Sequence, residues 1–296
     1  MMRILAFSDW RVQKINDVFS FVQDLEDPVD FILYGGDDIG RFEEEGVNHF
    51  AELSKYTKHR KVLAVIGNDD LPEVKRVLEG KNVHDLHQKP FIFQNFAFIG
   101  LEASTSEPAI IRYSEEEVKE HLKEQHSEVK GKKLIILSHT PPYGILDRGI
   151  RFAQLDEGSH HIGSTSLRNF IQQNKVNLVM CGHCHSHGGL STQFRDTTVV
   201  NVSSHDSRGA KGNFALIEIN SKGQINIEWH DTFEKLKGNS LMRLHSVGAS
   251  REEMFHAFGI RTMEDLAEVQ DLSKIAKKSG FSVNFLRKLQ LRAKSV

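Results

Sequence analysis

Leu178-Val179-Met180-Cys181-Gly182-His183-Cys184-His185-Ser186-His187-Gly188-Gly189, LVMCGHCHSHGG in one-letter code, is the stretch on which the fold turns. Its apolar opening, Leu178 to Met180, predicts a short buried strand that stops at Gly182. His183 and His185 follow on alternating positions, and in an extended segment such residues point to the same side. Two neutral imidazoles projected together from a strand end have the chemistry of paired metal ligands, suited to Zn, Fe, Mn or Ni. A histidine-rich polar turn is the plainer alternative. Cys181 and Cys184 spell C-x-x-C, the spacing of a redox pair or half a zinc site, but the chain holds no second C-x-x-C. The tight turn that carries the histidines accounts for the cysteine spacing equally well.

What other strand ends supply decides between these readings. Apolar runs alternate with helical patterns along the chain: strand Arg3–Phe7, helix Val12–Leu25, strand Phe31–Tyr34, helix Val47–Tyr56, strand Val62–Ile66 and a short helix Leu71–Leu78. A strand pair, Phe91–Phe93 and Ala97–Leu101, turns at Gln94-Asn95. Ser114 with Glu117 predicts a capping box that opens a helix to about His126. Strand Leu134–Leu137, helix Ser166–Gln173 and strand Leu178–Met180 follow, then three β-rich runs at Thr198–Val202, Phe214–Ile219 and Ile225–Trp229. Alternation early and strands late predict an α/β chain with two packed sheets. Five of these runs end in Ser8-Asp9, Gly35-Gly36-Asp37-Asp38, Gly67-Asn68-Asp69-Asp70, Ser138-His139 and His183-x-His185. A single Asp in a turn is usually a turn residue. Five strand ends delivering Asp, Asp, Asn, His and His-x-His form a ligand set, placed where open α/β sheets bind ligands.

Composition sets the frame. The 296 residues can hold one large α/β domain and a small one. No charged-then-apolar leader precedes Arg3, and no run approaches the ~18 apolar residues of a membrane span, so the expectation is a cytoplasmic chain without a membrane partner. The net charge of −2 is unevenly spread: from Leu241 onward ten Lys and Arg face six Asp and Glu, +4, which leaves −6 for the rest. A basic tail on an acidic body points to a partner bearing phosphates, with a solvated helix face as the commoner cause.

In order and spacing these residues resemble the calcineurin-like metallophosphoesterases, whose pattern runs D-x-H, G-D, G-N-H-D/E, H and G-H-x-H. Here it reads Asp9-Trp10-Arg11, Gly36-Asp37, Gly67-Asn68-Asp69-Asp70, His139 and Gly182-His183-Cys184-His185, within roughly residues 2 to 230. Thr140-Pro141-Pro142-Tyr143-Gly144 and His161-Ile162-Gly163-Ser164 are similar to the small bacterial and archaeal branch. The resemblance implies a four-layer αββα sandwich with two divalent metals between its loops. It implies that Asp37 bridges both ions, that Asp9 and His185 bind the first, and that Asn68, His139 and His183 bind the second. A metal-bridged hydroxide would then attack phosphorus in line. The function implied is a phosphodiesterase acting on nucleotides or nucleic acid; the alternative is a catalytically weak adaptor that works through its tail.

Two departures bear on catalysis. The second ligand of the family's first motif is Arg11 here, and a guanidinium cannot ligate a metal. The first ion is therefore weakly held, or another group completes its shell, with His187 and the His160/His161 pair as candidates; alternatively Arg11 itself clamps a substrate phosphate. The family's proton-donating His is Asp69, which implies a preference for leaving groups that need little protonation and weak activity on alkoxides.

Residues 1–236 are expected to form the phosphoesterase domain, 237–248 a linker and 249–296 a helical module. Ser250 with Glu253 and Thr262 with Asp265 predict helix starts, Gly259 and Gly280 predict stops, and Ser282 caps a last helix through Arg292. This small all-α module resembles helix-hairpin-helix units, which implies contact with nucleic-acid backbones. A docking or dimerisation module, giving a homo-oligomer, is the alternative.

Overall fold

The computed structural model describes residues 1–10, 15–106, 109–148, 161–204 and 213–231, then 241, 244, 247, 251, 254–255, 257–260 and 262–294. These residues fall into two compact units, the first ending at Asp231. In chain order the first unit runs β1 (Met2–Phe7), α1 (Ile15–Gln23), β2 (Phe31–Tyr34), the short ribbon β3 (Glu43–Glu44) and β4 (Val47–Asn48), α2 (His49–Leu53), β5 (Val62–Ala64) and β6 (Val83–Asp85). It continues with β7 (Phe91–Phe93), β8 (Phe96–Leu101), α3 (Glu115–Glu128), β9 (Lys133–Ser138), α4 (Thr165–Gln173) and β10 (Val176–Cys181). The last strands are β11 (Leu190–Phe194), β12 (Thr197–Asn201), β13 (Asn213–Ile219) and β14 (Ile225–Asp231).

Two six-stranded sheets result, ordered β14-β13-β1-β2-β5-β6 and β11-β12-β10-β9-β8-β7. Strands β1, β2, β5 and β6 are parallel in the first, as are β8, β9, β10 and β12 in the second. Buried parallel strands are apolar on both faces, and side-chain alternation sorts those faces into layers. Ile4 and Ala6 of β1, Phe31 and Leu33 of β2, Ile135 and Leu137 of β9, and Leu178 and Met180 of β10 share one core between the sheets. Leu5, Phe7, Ile32 and Tyr34 face the opposite way onto α1. Leu134, Ile136, Val179 and Cys181 face α3 and α4. The unit is thus a helix–sheet–sheet–helix sandwich. Phe31, wholly buried, pins the sheets together: its ring lies 5.4, 4.9 and 5.8 Å from those of Phe91, Phe93 and Phe98. Truncating it to Ala would cost about 3–5 kcal/mol.

Sequence and structure differ in instructive places. The capping box at the head of α3 forms as expected: the Glu117 N–H donates to Ser114 Oγ and the Ser114 N–H to Glu117 Oε2. The helix expected over Val47–Tyr56 is broken up. Val47 and Asn48 pair with β3, Asn48 then caps the short α2, and Ser54–Tyr56 tightens into a 3₁₀ turn. The segment after Leu71 is likewise 3₁₀, Pro72–Glu79, since Pro72 starts a turn without donating to it. Strand β5 stops at Ala64, two residues short of expectation. Strands β6 and β11 carry too little apolar periodicity to be seen in advance. The three late β runs divide between the sheets, β12 joining β10 while β13 and β14 extend the first sheet.

In the second unit, α5 (Met263–Glu268), α6 (Leu272–Ser279) and α7 (Val283–Ala293) enclose their own core, with Leu266, Ile275, Leu286 and Leu289 at its centre. Thr262 and Asp265 form a complete capping box, and Ser282 caps α7. Gly259 and Gly280 sit at φ 79° and 76°, the left-handed bends that end one helix and free the chain for the next. The expected linker glycine Gly238 and the Ser250–Glu253 box lie outside the described residues. Among the described residues no helix is long and apolar enough to cross a membrane.

Candidate metal centre

All five polar strand ends lie at the carboxyl ends of parallel strands: β1 before Asp9, β2 before Asp37, β5 before Asn68, β9 before His139 and β10 before His183. Reaching a common point requires sharp turns, and the backbone is strained to make them. Asp9 (φ 54°), Asp37 (φ 60°) and His183 (φ 59°) all adopt the left-handed conformation that costs a non-glycine residue about 1–3 kcal/mol. Neighbouring glycines make the approach possible. A Cβ on Gly67 would lie 2.0 Å from Asp37 Oδ1, and one on Gly182 would lie 2.1 Å from Ser8 Oγ.

The turn after β10 corrects the first argument from sequence. His183 and His185 do not extend side by side, because the left-handed kink at His183 is followed by a 3₁₀ turn, His185–His187. The kink sends the two rings to different neighbours. The His183 ring lies 5.1 Å from that of His139, whereas His185 Nε2 lies 3.1 Å from Asp9 Oδ1.

Asp9, Asp37 and His139 are buried, and one ligand atom from each lies within 4.8 Å of the others. The His139 Nδ1–H donates to Gly35 O (2.8 Å), which leaves Nε2 as the atom offered to an ion. That atom is 2.9 Å from Asn68 Oδ1 and 3.6 Å from Asp37 Oδ2. The carboxylates are held by their surroundings: Asp9 Oδ2 accepts from Ser8 Oγ (2.6 Å) and the His183 N–H (3.2 Å), and Asp37 Oδ1 from the Asp69 N–H (2.9 Å).

Charge in this buried cluster is out of balance. Burial, reinforced by Asp9 and Asp70 and opposed by His139, pushes the Asp37 carboxyl up to about 7. Burial also works against ionising Asp9, but His185, His139 and Ser8 outweigh it and hold that carboxyl below the usual range. For His139 the neighbouring Asp37 and Asp9 overcome burial and raise the imidazole. Burial together with His139 lowers His183 to about 3, keeping it neutral. Two carboxylates, an amide oxygen and two imidazoles facing one another, with Asp37 driven to keep a proton that an ion would displace, form a donor set that fits a divalent cation.

A family model for calcineurin-like phosphoesterases matches residues 2–187, the segment that carries every one of these strand ends. The chain belongs to the calcineurin-like phosphoesterases. This family binds divalent metals, and the Asp9–Asp37–His139 group fits such a site. The phosphoesterase is 28% identical over 186 residues to the uncharacterized protein MJ1162 of Methanocaldococcus jannaschii, covering 62% of this chain and 81% of that one. The crystal structure of TT1561 of Thermus thermophilus aligns with a TM-score of 0.50 at 17% identity, over 78% of this chain and 99% of that chain. Another solved chain aligns at a TM-score of 0.54 and 18% identity, over 76% and 98%. At these identities the structural likenesses speak for the fold alone.

Of the remaining candidates, Arg11 and His160 lie outside the described residues of the phosphoesterase. His187 Nδ1 is 3.2 Å from Cys184 Sγ and His161 Nδ1 is 2.7 Å from Asp147 Oδ1, so neither ring's Nδ1 is turned to the first ion's ligands. Asp69 is exposed and accepts from Asn68 Nδ2 (2.7 Å). Cys181 and Cys184 are free and buried, and burial raises both thiols, Cys184 to about 11, which disfavours redox chemistry.

Sequence reasoning gave no role to several residues that shape the site. Asp70 is a buried tie: Oδ1 accepts from the Ile39 N–H (3.0 Å) and Oδ2 from the Gly67 N–H (2.8 Å), locking the second and third strand-end loops together. Its signal in the sequence is the last position of the G-N-H-D/E pattern, which Asp70 matches. Tyr34 OH donates to the Asp37 carbonyl and accepts from the Trp10 N–H. Ser104 and Ser106 each bring Oγ within 3.4 Å of His183 Nε2, from a loop with no motif.

Proposed function

We propose that this phosphoesterase is a phosphodiesterase that hydrolyses nucleotide or nucleic-acid phosphoesters with the help of two divalent ions. The observation that carries the reading is the convergence of Asp9, Asp37 and His139 within 4.8 Å, with His185 beside Asp9 and with Asn68 and His183 beside His139. Asp9 and His185 would hold the first ion, Asn68, His139 and His183 the second, and Asp37 would lie between. The chemistry supplied by such a pair is polarisation of phosphoryl oxygens and acidification of a water for in-line attack. Mixed carboxylate, amide and imidazole donors suit Mn, Fe, Zn or Ni.

The chain's own residues prepare that site. Ser8 and the His183 N–H aim Asp9, and Asp70 fixes the loops that carry Asp37 and Asn68. Asn68 presents Oδ1 inward while its Nδ2 is occupied by Asp69. The test is a titration of the full chain with Mn, Fe, Zn or Ni against an aryl phosphodiester. Turnover that saturates with added ion supports the reading; tight ion binding without turnover of any phosphodiester would favour the adaptor.

The C-terminal unit carries the nucleic-acid part of the proposal. Lys274, Lys277, Lys278, Arg287, Lys288, Arg292 and Lys294 are all exposed on or just beyond α6 and α7. If they meet duplex DNA, log affinity should fall with log salt by about 0.9 per phosphate contact. Deleting the residues after Ser240 should abolish that binding while aryl-ester hydrolysis persists, because every proposed ligand precedes His187. No salt-dependent binding by the full chain would assign the unit to docking or self-association instead.

A further inference from the structure

We propose that His161, held by the buried Asp147, gives the proton that the leaving group needs; the inference rests on the hydrolytic reading above. Asp69, where the family's proton donor would stand, is an exposed carboxylate engaged as an acceptor by Asn68 Nδ2.

Asp147 is only 1% exposed, and each of its oxygens has work. Oδ1 takes the His161 Nδ1–H at 2.7 Å, while Oδ2 accepts from the Gly144 N–H (2.8 Å) and the Gly163 N–H (3.2 Å). A carboxylate fixed by two backbone donors and bonded to Nδ1 fixes the ring and its tautomer, so the exchangeable proton is the one on Nε2. About a third of the His161 side chain is exposed, and the Tyr143 ring lies 4.9 Å from it. A buried carboxylate orienting a partly open imidazole is the arrangement that proton transfer requires.

Chain continuity and one backbone bridge tie the dyad to the strand ends that carry the proposed ligands. It belongs to the connection that leaves β9 directly after His139 and enters α4 at Ser164, on the same edge of the sheet as the proposed ligands. Arg148 joins it to the other side. Its backbone pairs with His161 in an isolated bridge, and its carbonyl accepts from Ser186 Oγ (2.7 Å) and Cys184 Sγ (3.1 Å), the two neighbours of His185. The step balances simply. As the oxygen of water bonds to phosphorus, that water releases a proton to solvent, the bond from phosphorus to the leaving oxygen breaks, its electron pair stays on that oxygen, and the oxygen takes the Nε2 proton of the His161 imidazolium. The imidazolium becomes imidazole and is reprotonated from solvent. Alkoxide leaving groups then come within reach, contrary to what Asp69 alone implies.

The test compares two phosphodiesters on the full, ion-saturated protein, one with a nitrophenolate leaving group and one with a nucleoside alkoxide. His161→Asn keeps an N–H for Asp147, so the loop stays held, and deletes Nε2. It should lower kcat on the alkoxide ester about 100-fold, and by a factor at least ten times smaller on the aryl ester, because a phenolate leaves without a proton. In protein without added ions, nitrogen NMR should show a protected His161 Nδ1–H that Asp147→Asn loses. Equal losses on both esters, or none on either, would overturn the proposal, as would a His161 ring protonated on Nε2 alone in the neutral form. Failure of the hydrolytic reading itself would show separately, as wild-type protein that turns over neither ester, and the proton-donor role would fall with it.

Discussion

The two halves of the proposed metal centre are built to different standards. Around the second proposed ion, three strand ends bring Asn68, His139 and His183 together, and His139 is anchored behind by Gly35 and wholly buried. Around the first, among the described residues, Asp9 and His185 meet, and the His185 side chain is 27% exposed. Where the family pattern has a His to complete this half, this chain has Arg11. Strand ends place ligands rigidly because the ladder fixes where each one stops, whereas His185 hangs from a 3₁₀ turn. The contrast implies unequal ion affinities with Asp37 common to both.

Removing the shared residue should do the most damage. Asp37→Ala is expected to lower kcat/KM on an aryl phosphodiester by about 1000-fold, on the order of 4 kcal/mol, and to reduce bound metal in both halves. Full activity with full metal content would end the two-ion assignment. Next, His139→Ala should weaken ion binding about 100-fold and His185→Ala about tenfold, read by calorimetry. Equal effects would erase the comparison between halves.

Proton linkage offers a gentler probe. The Asp37 carboxyl is raised from 3.8 to about 7 in the folded chain, so its protonated form favours folding. That stability is complete below 3.8 and is lost as pH rises through about 7. Ion-free protein should therefore melt at lower temperature at about pH 8 than at about pH 5, and Asp37→Asn should flatten this part of the profile. Because an ion must displace that proton, metal affinity should climb over the same window and level off above it. A melting temperature that rises with pH between those values would contradict the charge balance described for the site. The last expected effect is that of Arg11→His, which returns the family's imidazole to the first motif and should strengthen the first ion about threefold, leaving the second unchanged.

Much of this was legible in the chain itself. Apolar runs of fixed length gave β1, β2, β8, β9 and β10, because a buried parallel strand has no polar face to disguise it. The residues directly after those runs gave Asp9, Asp37, Asn68, His139 and the His183–His185 pair, since backbone continuity alone puts them at strand ends. Short turns were less readable: whether Pro72–Glu79 is α or 3₁₀, or whether Val47 pairs with a neighbouring strand, depends on hydrogen bonds to distant residues. The direction of each ligand also lay beyond sequence. Period-two alternation held for the strands but failed at His183, where a left-handed backbone, tolerated because packing around Gly182 and Ser8 enforces it, sends two nearby histidines to different partners. Asp70 and Asp147 likewise look like ordinary loop acids until folding buries them. Their roles arise only when the N–H groups of Ile39 and Gly67, or of Gly144 and Gly163, are brought to their oxygens from other turns of the chain. Sequence thus determined which chemical groups stand at the strand ends, and the tertiary structure decided which of them face one another, because that depends on contacts between segments far apart in the chain.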